Sequence, residues 1–115
     1  MRTLFAAVLS LAISAPALAG SVSGPQVAST QVLAQSTDSF TATFRGGEST
    51  TVAISGDGDT DLDLYVYDEN GNLVASDLGS SDQAVVTFTP AWTGGFRIEV
   101  KNRGYVYNEY VLITD

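Results

Sequence analysis

The sequence predicts an all-β protein, an antiparallel β-sandwich of about seven to eight short strands. Three observations carry that reading. Beyond the first residues no segment repeats apolar side chains at helical spacing, whereas several runs alternate apolar and polar residues at every second position. The chain has 11 glycines, and many fall between those runs, where tight turns are needed. The third is one stretch, Ser55 to Asp68, reading SGDGDTDLDLYVYD, which joins the densest cluster of acid to the clearest strand. Side chains of an extended chain point to opposite faces in turn, so Asp61, Asp63, Tyr65 and Tyr67 share one face and Leu62, Leu64 and Val66 the other. The remaining strands are expected to bury the leucine and valine face.

At the N-terminus, Arg2, an apolar run from Leu4 to Ile13 and the small-x-small motif Ala17-Leu18-Ala19 have the layout of a signal peptide over residues 1–19. Cleavage is expected after Ala19, with export to the periplasm or secretion from the cell. The run is shorter than the roughly 20 residues that cross a bilayer, so no membrane anchor is expected. The sequence holds no cysteine, hence no lipidated thiol and no disulfide. A net charge of −8, made more acidic by loss of Arg2, repels nucleic acid and anionic lipid.

Gly20 to Ser36 is rich in small and polar residues and reads as a linker or mobile N-terminal arm, with Val27 to Ala34 adding an edge strand. Alternation begins at Thr37. Phe40, Ala42 and Phe44 face one way, and after the turn Arg45-Gly46-Gly47-Glu48 the same holds for Thr50, Val52 and Ile54. Next come the acidic loop and the strand already described. Asn70-Gly71 predicts a type I′ hairpin that pairs Leu73 to Ser76 with Tyr65 to Asp68. Gln83 to Thr89 is a β-branched strand stopped by Pro90. Trp92 lies in a turn expected to cover one end of the core. Phe96, Ile98 and Val100 alternate with Arg97, Glu99 and Lys101. Tyr105 to Thr114 reads as a last strand, interrupted near Asn108-Glu109.

The series Gly58-Asp59-Thr60-Asp61-Leu62-Asp63-Leu64-Tyr65-Val66-Tyr67, then Asn70-Gly71 and Leu73, Thr87-Phe88-Thr89, Gly94-Gly95-Phe96-Arg97-Ile98-Glu99-Val100 and Tyr110-Val111-Leu112, resembles the bacterial pre-peptidase C-terminal domain. This family is similar to the collagen-binding domain of clostridial collagenases. The resemblance spans 37–115 and implies a jelly-roll-like sandwich that is not itself catalytic. In the family such domains accompany secreted enzymes and assist targeting, substrate binding or stability, and some bind calcium. Here the signal-like segment leads directly into a short linker, which predicts a stand-alone exported protein.

Calcium takes six to eight oxygen ligands, and Asp57, Asp59, Asp61 and Asp63 with the carbonyls of a glycine-rich loop are candidate donors for Ca²⁺, Asp61 first. The spacing departs from an EF-hand, since Leu62 stands where that loop needs Gly and Asp68 where it needs Glu. The competing reading is that these aspartates accept backbone N–H bonds in turns. Tyr65 and Tyr67, with Tyr105 and Tyr107 near the end, are candidate ligand-binding residues able to stack on a sugar or an extended polypeptide; packing within the strands is the alternative. The sequence has no histidine and no cysteine, so the common general base, thiolate nucleophile and zinc ligand sets are missing, and an enzyme is not expected. The expected function is an exported non-catalytic binding or accessory module recognising protein or polysaccharide. The alternative is a calcium-stabilised structural protein without a macromolecular target.

Overall fold

Leu62, Leu64 and Val66 are completely buried, and the two sheets of the molecule are arranged around them. The computed structural model describes residues 20–115; the expected signal peptide, 1–19, lies outside the described residues. The strands, in chain order, are β1 (Gln26–Val32), β2 (Thr37–Phe44), β3 (Thr50–Ser55), β4 (Leu62–Tyr67), β5 (Leu73–Asp77), β6 (Gln83–Phe88), β7 (Gly94–Asn102) and β8 (Asn108–Thr114). They form two four-stranded antiparallel sheets, in the orders β1-β8-β3-β6 and β2-β7-β4-β5. The protein is an all-β sandwich, and no helix among the described residues is long and apolar enough to cross a membrane.

The alternation read from the sequence becomes burial strand by strand. In β2 every second residue is inward, and Phe40, Ala42 and Phe44 meet Phe96, Ile98 and Val100 of β7 on the same sheet. Val52 and Ile54 of β3, Ala84 and Val86 of β6, and Tyr110 and Leu112 of β8 close the core from the other sheet. Fully burying a Leu, Val or Phe stabilises by about 1.5–3 kcal/mol per side chain, so this layer is the main source of stability. At one end Phe44, Phe88 and Phe96 form an aromatic cluster, with Phe44 edge-on to Phe88 at 5.6 Å and 89°. Edge-to-face packing sets the positive ring edge against the negative ring face.

Three features differ from the sequence reading. Residues 26–32, within the expected linker or mobile arm, are a full edge strand: β1 pairs with β8 from Gln26↔Thr114 to Val32↔Asn108 and places Ala28 and Val32 in the core. The edge strand expected over Val27 to Ala34 is therefore present, and the arm is integral to the sandwich over those residues.

The β4–β5 turn is a three-residue loop, Glu69-Asn70-Gly71, in place of the expected two-residue type I′ turn. Gly71 N–H donates to Asp68 O at 3.0 Å and Asp68 N–H to Asn72 O at 2.9 Å, and within the turn only Gly71 has positive φ, 84°. A type I′ turn needs positive φ at both central residues. The Asp68 carboxylate decides otherwise by accepting the N–H groups of Asn70 and Asn72, each at 2.9 Å. The strand partners are as expected, Tyr65↔Ser76 and Val66↔Ala75, with a bulge before Tyr67↔Leu73.

The last strand starts at Asn108, so Tyr105 and Tyr107 belong to the loop before it. Trp92 is half-exposed, and its indole N–H donates to Glu69 Oε1 at 2.7 Å.

Candidate functional site

Strand register arranges the outer face of the β2-β7-β4-β5 sheet into rows. Thr41, Arg97, Tyr67 and Leu73 form one row, and Ser39, Glu99, Tyr65 and Ser76 the next. Thr37, Lys101 and Asp63 begin a third. Tyr65 and Tyr67, two residues apart on β4, point the same way, and their rings stack nearly parallel at 6.3 Å and 16°. The Arg97 guanidinium lies 4.7 Å from the Tyr67 ring centre and pairs with Glu99 at 2.8 Å. This cation–π contact and ion pair hold the arginine flat against the aromatic surface. Both tyrosines are half-buried, so part of each side chain reaches solvent. Burial, and then the neighbouring Asp63 carboxylate, push the Tyr65 hydroxyl to a higher pKa, which keeps it a neutral donor and acceptor. Flat rings with polar tips, flanked by a fixed cation and anion, can stack on a sugar ring or an extended peptide.

The two later tyrosines stand apart from this pair. Tyr105, 87% exposed, and Tyr107, 49% exposed, project from the β7–β8 loop with Val106. That loop is anchored by Asn102, whose Nδ2 donates to Val32 O and Val106 O and whose Oδ1 accepts Gly104 N–H. Gln35 braces it from the β1–β2 turn by donating to the carbonyls of Arg103 and Gly104. Arg103 Nη1 reaches Asp63 Oδ2 at 3.6 Å, so the loop begins beside the sheet face that carries Tyr65.

The four aspartates separate into two kinds. Asp57 and Asp59 are exposed. Asp57 Oδ1 accepts Asp59 N–H at 3.1 Å and Oδ2 accepts Glu109 N–H at 2.9 Å, which is turn chemistry that ties the acidic loop to β8. Asp63 is buried, and one oxygen of Asp61 and one of Asp63 are enclosed without a hydrogen-bond partner. Burial, followed by repulsion from Asp61, raises the Asp63 pKa, while Arg103 and Lys101 oppose the shift. Among the described residues no three acidic side chains converge as a metal cage.

Sequence reasoning missed the polar group beneath the acidic loop. Asn108 and Asp82 are buried there. Asn108 Oδ1 accepts Asp57 N–H, and its Nδ2 donates to Thr60 Oγ1 and Asp82 Oδ2. Asp82 Oδ2 also accepts Gly58 N–H. A signal was present: extending the inward series Leu112 and Tyr110 back by two places Asn108 inside. A second buried pair, Tyr110 OH to Asp38 Oδ2 at 2.8 Å, joins the two sheets.

The model of one protein family, the bacterial pre-peptidase C-terminal domain, matches residues 37–102, more than half of the chain. The chain belongs to this family. Among solved structures the pre-peptidase C-terminal domain of a Bacillus anthracis collagenase is similar, with TM-score 0.59 and 14% identity over 76% of this chain and 87% of that one. The Aeromonas hydrophila periplasmic inhibitor of g-type lysozyme has TM-score 0.60 and 11% identity over 92% of this chain and 94% of that one. The Yersinia pseudotuberculosis-derived mitogen has TM-score 0.59 and 8% identity over 79% of this chain and 84% of that one. At such identities the likeness is one of fold. Among curated proteins, no sequence matches this pre-peptidase C-terminal domain chain.

Proposed function

We propose that this protein is an exported, non-catalytic binding module that recognises an extracytoplasmic protein or polysaccharide on the outer face of the β2-β7-β4-β5 sheet. The observation that carries the reading is the stacked Tyr65–Tyr67 pair with Arg97 laid over it. A large, rigid aromatic surface loses little conformational freedom on binding, which is why such residues dominate recognition surfaces. Family membership supports an accessory role, and the fold is also that of a protein named as a lysozyme inhibitor. The test is co-sedimentation of residues 20–115 with insoluble collagen, cellulose, chitin and peptidoglycan. Retention on one matrix should be lost in Tyr65→Ala and Tyr67→Ala while the thermal midpoint stays near that of the parent. Binding that survives both substitutions would sink the assignment to this face.

A second reading, a calcium-stabilised structural protein, is favoured by the enclosed, unpartnered oxygens of Asp61 and Asp63. A cation between them would remove their repulsion, with loop carbonyls and water completing its shell. A ligand at about 100 times its dissociation constant adds roughly 2.7 kcal/mol, a rise of several degrees in the midpoint of so small a domain. Melts with EDTA, Ca²⁺ and Mg²⁺ decide: a calcium-specific rise abolished by Asp61→Asn supports the site, and an unchanged midpoint removes it.

A further inference from the structure

At the end of the sandwich where the phenylalanines cluster, a cup of about 320 Å³ opens to solvent between the β4–β5 hairpin and the turn that follows β6. Its apolar walls include Val74, Phe88, Pro90 and Phe96, and the half-exposed Trp92 stands at its side. Trp92 does not close the core. Its N–H is fixed on Glu69 Oε1, and Gly94 makes this possible, because a Cβ there would lie 2.6 Å from that same oxygen and 3.2 Å from Trp92 Cδ1.

The polar side chains lining the cup are Asp68 and Thr89, and a second acid, Glu69, stands beside it on the Trp92 indole. The Asp68 carboxylate lines it and is held below the usual aspartate range by the backbone N–H groups of Asn72 and Asn70 and the Asn72 amide, so it stays ionised. Glu69 is exposed, with one oxygen on the indole. Among the described residues neither acid has an ion-pair partner, and the ion pairs there, Arg97–Glu99 and Arg103–Asp63, lie elsewhere. The cup thus combines negative charge that has no ion pair among the described residues, an indole held by one hydrogen bond and apolar walls, on a chain of net charge −8.

We infer that this cup is a docking site for one basic side chain, lysine or arginine, of a polypeptide partner. The walls take the methylene stem, the carboxylates take the charged head, and the tryptophan face adds a cation–π contact. The volume lies at the small end of ligand pockets, which suits a single side chain better than an extended ligand. The acidic surface favours the encounter with a basic partner. This site is separate from the tyrosine face and does not rest on it.

The chain has one tryptophan, so its fluorescence reports on the cup directly. The probes are blocked tripeptides Gly-Lys-Gly and Gly-Arg-Gly, with norleucine and glutamate at the central position as controls. Saturable change of Trp92 emission is expected with the basic peptides, with norleucine at least about fivefold weaker and glutamate inactive. Glu69→Gln, an exposed substitution with little effect on folding, should weaken the basic peptides by about two- to fivefold, and added salt should weaken them too. Tyr65→Ala, which disrupts the tyrosine face, should leave these titrations unchanged. Equal binding of norleucine, insensitivity to Glu69→Gln, dependence on Tyr65 or the absence of any saturable change would each overturn the inference.

Discussion

Asn102 is the residue whose removal should cost most for its size. It closes β7, is completely buried, and makes three side-chain hydrogen bonds: to Val32 O at 3.2 Å, to Val106 O at 2.8 Å and from Gly104 N–H at 2.8 Å. Each neutral bond contributes about 0.5–1.5 kcal/mol net, and truncation leaves the buried Val32 carbonyl without this donor. Asn102→Ala should therefore lose about 2–4 kcal/mol. For a domain this small that lowers the thermal midpoint by roughly 10–25 °C. The loss should also be directional, because two of the three bonds hold the β7–β8 loop. Hydrogen exchange should show Gly104 N–H losing protection, together with the loop that carries Tyr105 and Tyr107. Asn102→Asp keeps the acceptor for Gly104 and discards both donors, so it should protect that N–H better than Asn102→Ala does. A midpoint within about 2 °C of the parent for Asn102→Ala would refute the reasoning, since it would value three buried bonds at almost nothing.

Phe44→Ala removes a completely buried ring from between Phe88 and Phe96 and should cost about 3–5 kcal/mol, measurable by urea denaturation. Asp63 and Asp68 should give opposite pH dependences in melts between pH 3 and 8. The Asp63 pKa is raised, so the folded state takes up its proton before the unfolded chain does, and its penalty is relieved as pH falls through its raised value. Asp63→Asn should flatten that part of the curve. The Asp68 pKa is lowered, so its stabilisation is present above the ordinary aspartate value and is lost as pH falls through its depressed one. Asp68→Asn should destabilise at neutral pH and matter little near pH 3. Matching curves for the two variants would contradict both assignments.

The core was legible because it is written locally. Leu62, Leu64 and Val66, like Phe96, Ile98 and Val100, declare their face by period alone, and burial followed it in each case. The stacked tyrosines follow from the same alternation. What escaped depends on residues far apart in the chain. Asp63 occupies an outward position of β4, and its burial comes with Arg103, 40 positions later, and Lys101 beside it in register. β1 buries only Ala28 and Val32, with Thr30 between them partly exposed, so its own sequence hardly marks it as a strand; its pairing with β8 makes it one. Asn108 and Asp82 are polar residues inside the protein because each satisfies the other, a condition that no single segment displays. The cup beside Trp92 likewise needs the β4–β5 hairpin and the turn after β6 to be set against each other.

The seam between the first and last strands has a mechanical consequence. Ser21 N–H donates to Asp115 O at 3.0 Å, so both ends of the described chain leave the sandwich at the same place, where the antiparallel β1–β8 pair begins at Gln26↔Thr114. Tension applied across these ends acts at right angles to the strands and loads one rung at a time, as in unzipping. β1 would peel away progressively toward Val32↔Asn108, without all of its hydrogen bonds having to fail together. A module tethered at both ends would thus yield bond by bond, first where Gly20 to Val22 are held by Thr43 and Arg45 and then along β1. The sheet that carries Tyr65, Tyr67 and Arg97 lies on the other side of the core, so a partner gripped there would be held while the tether lengthens.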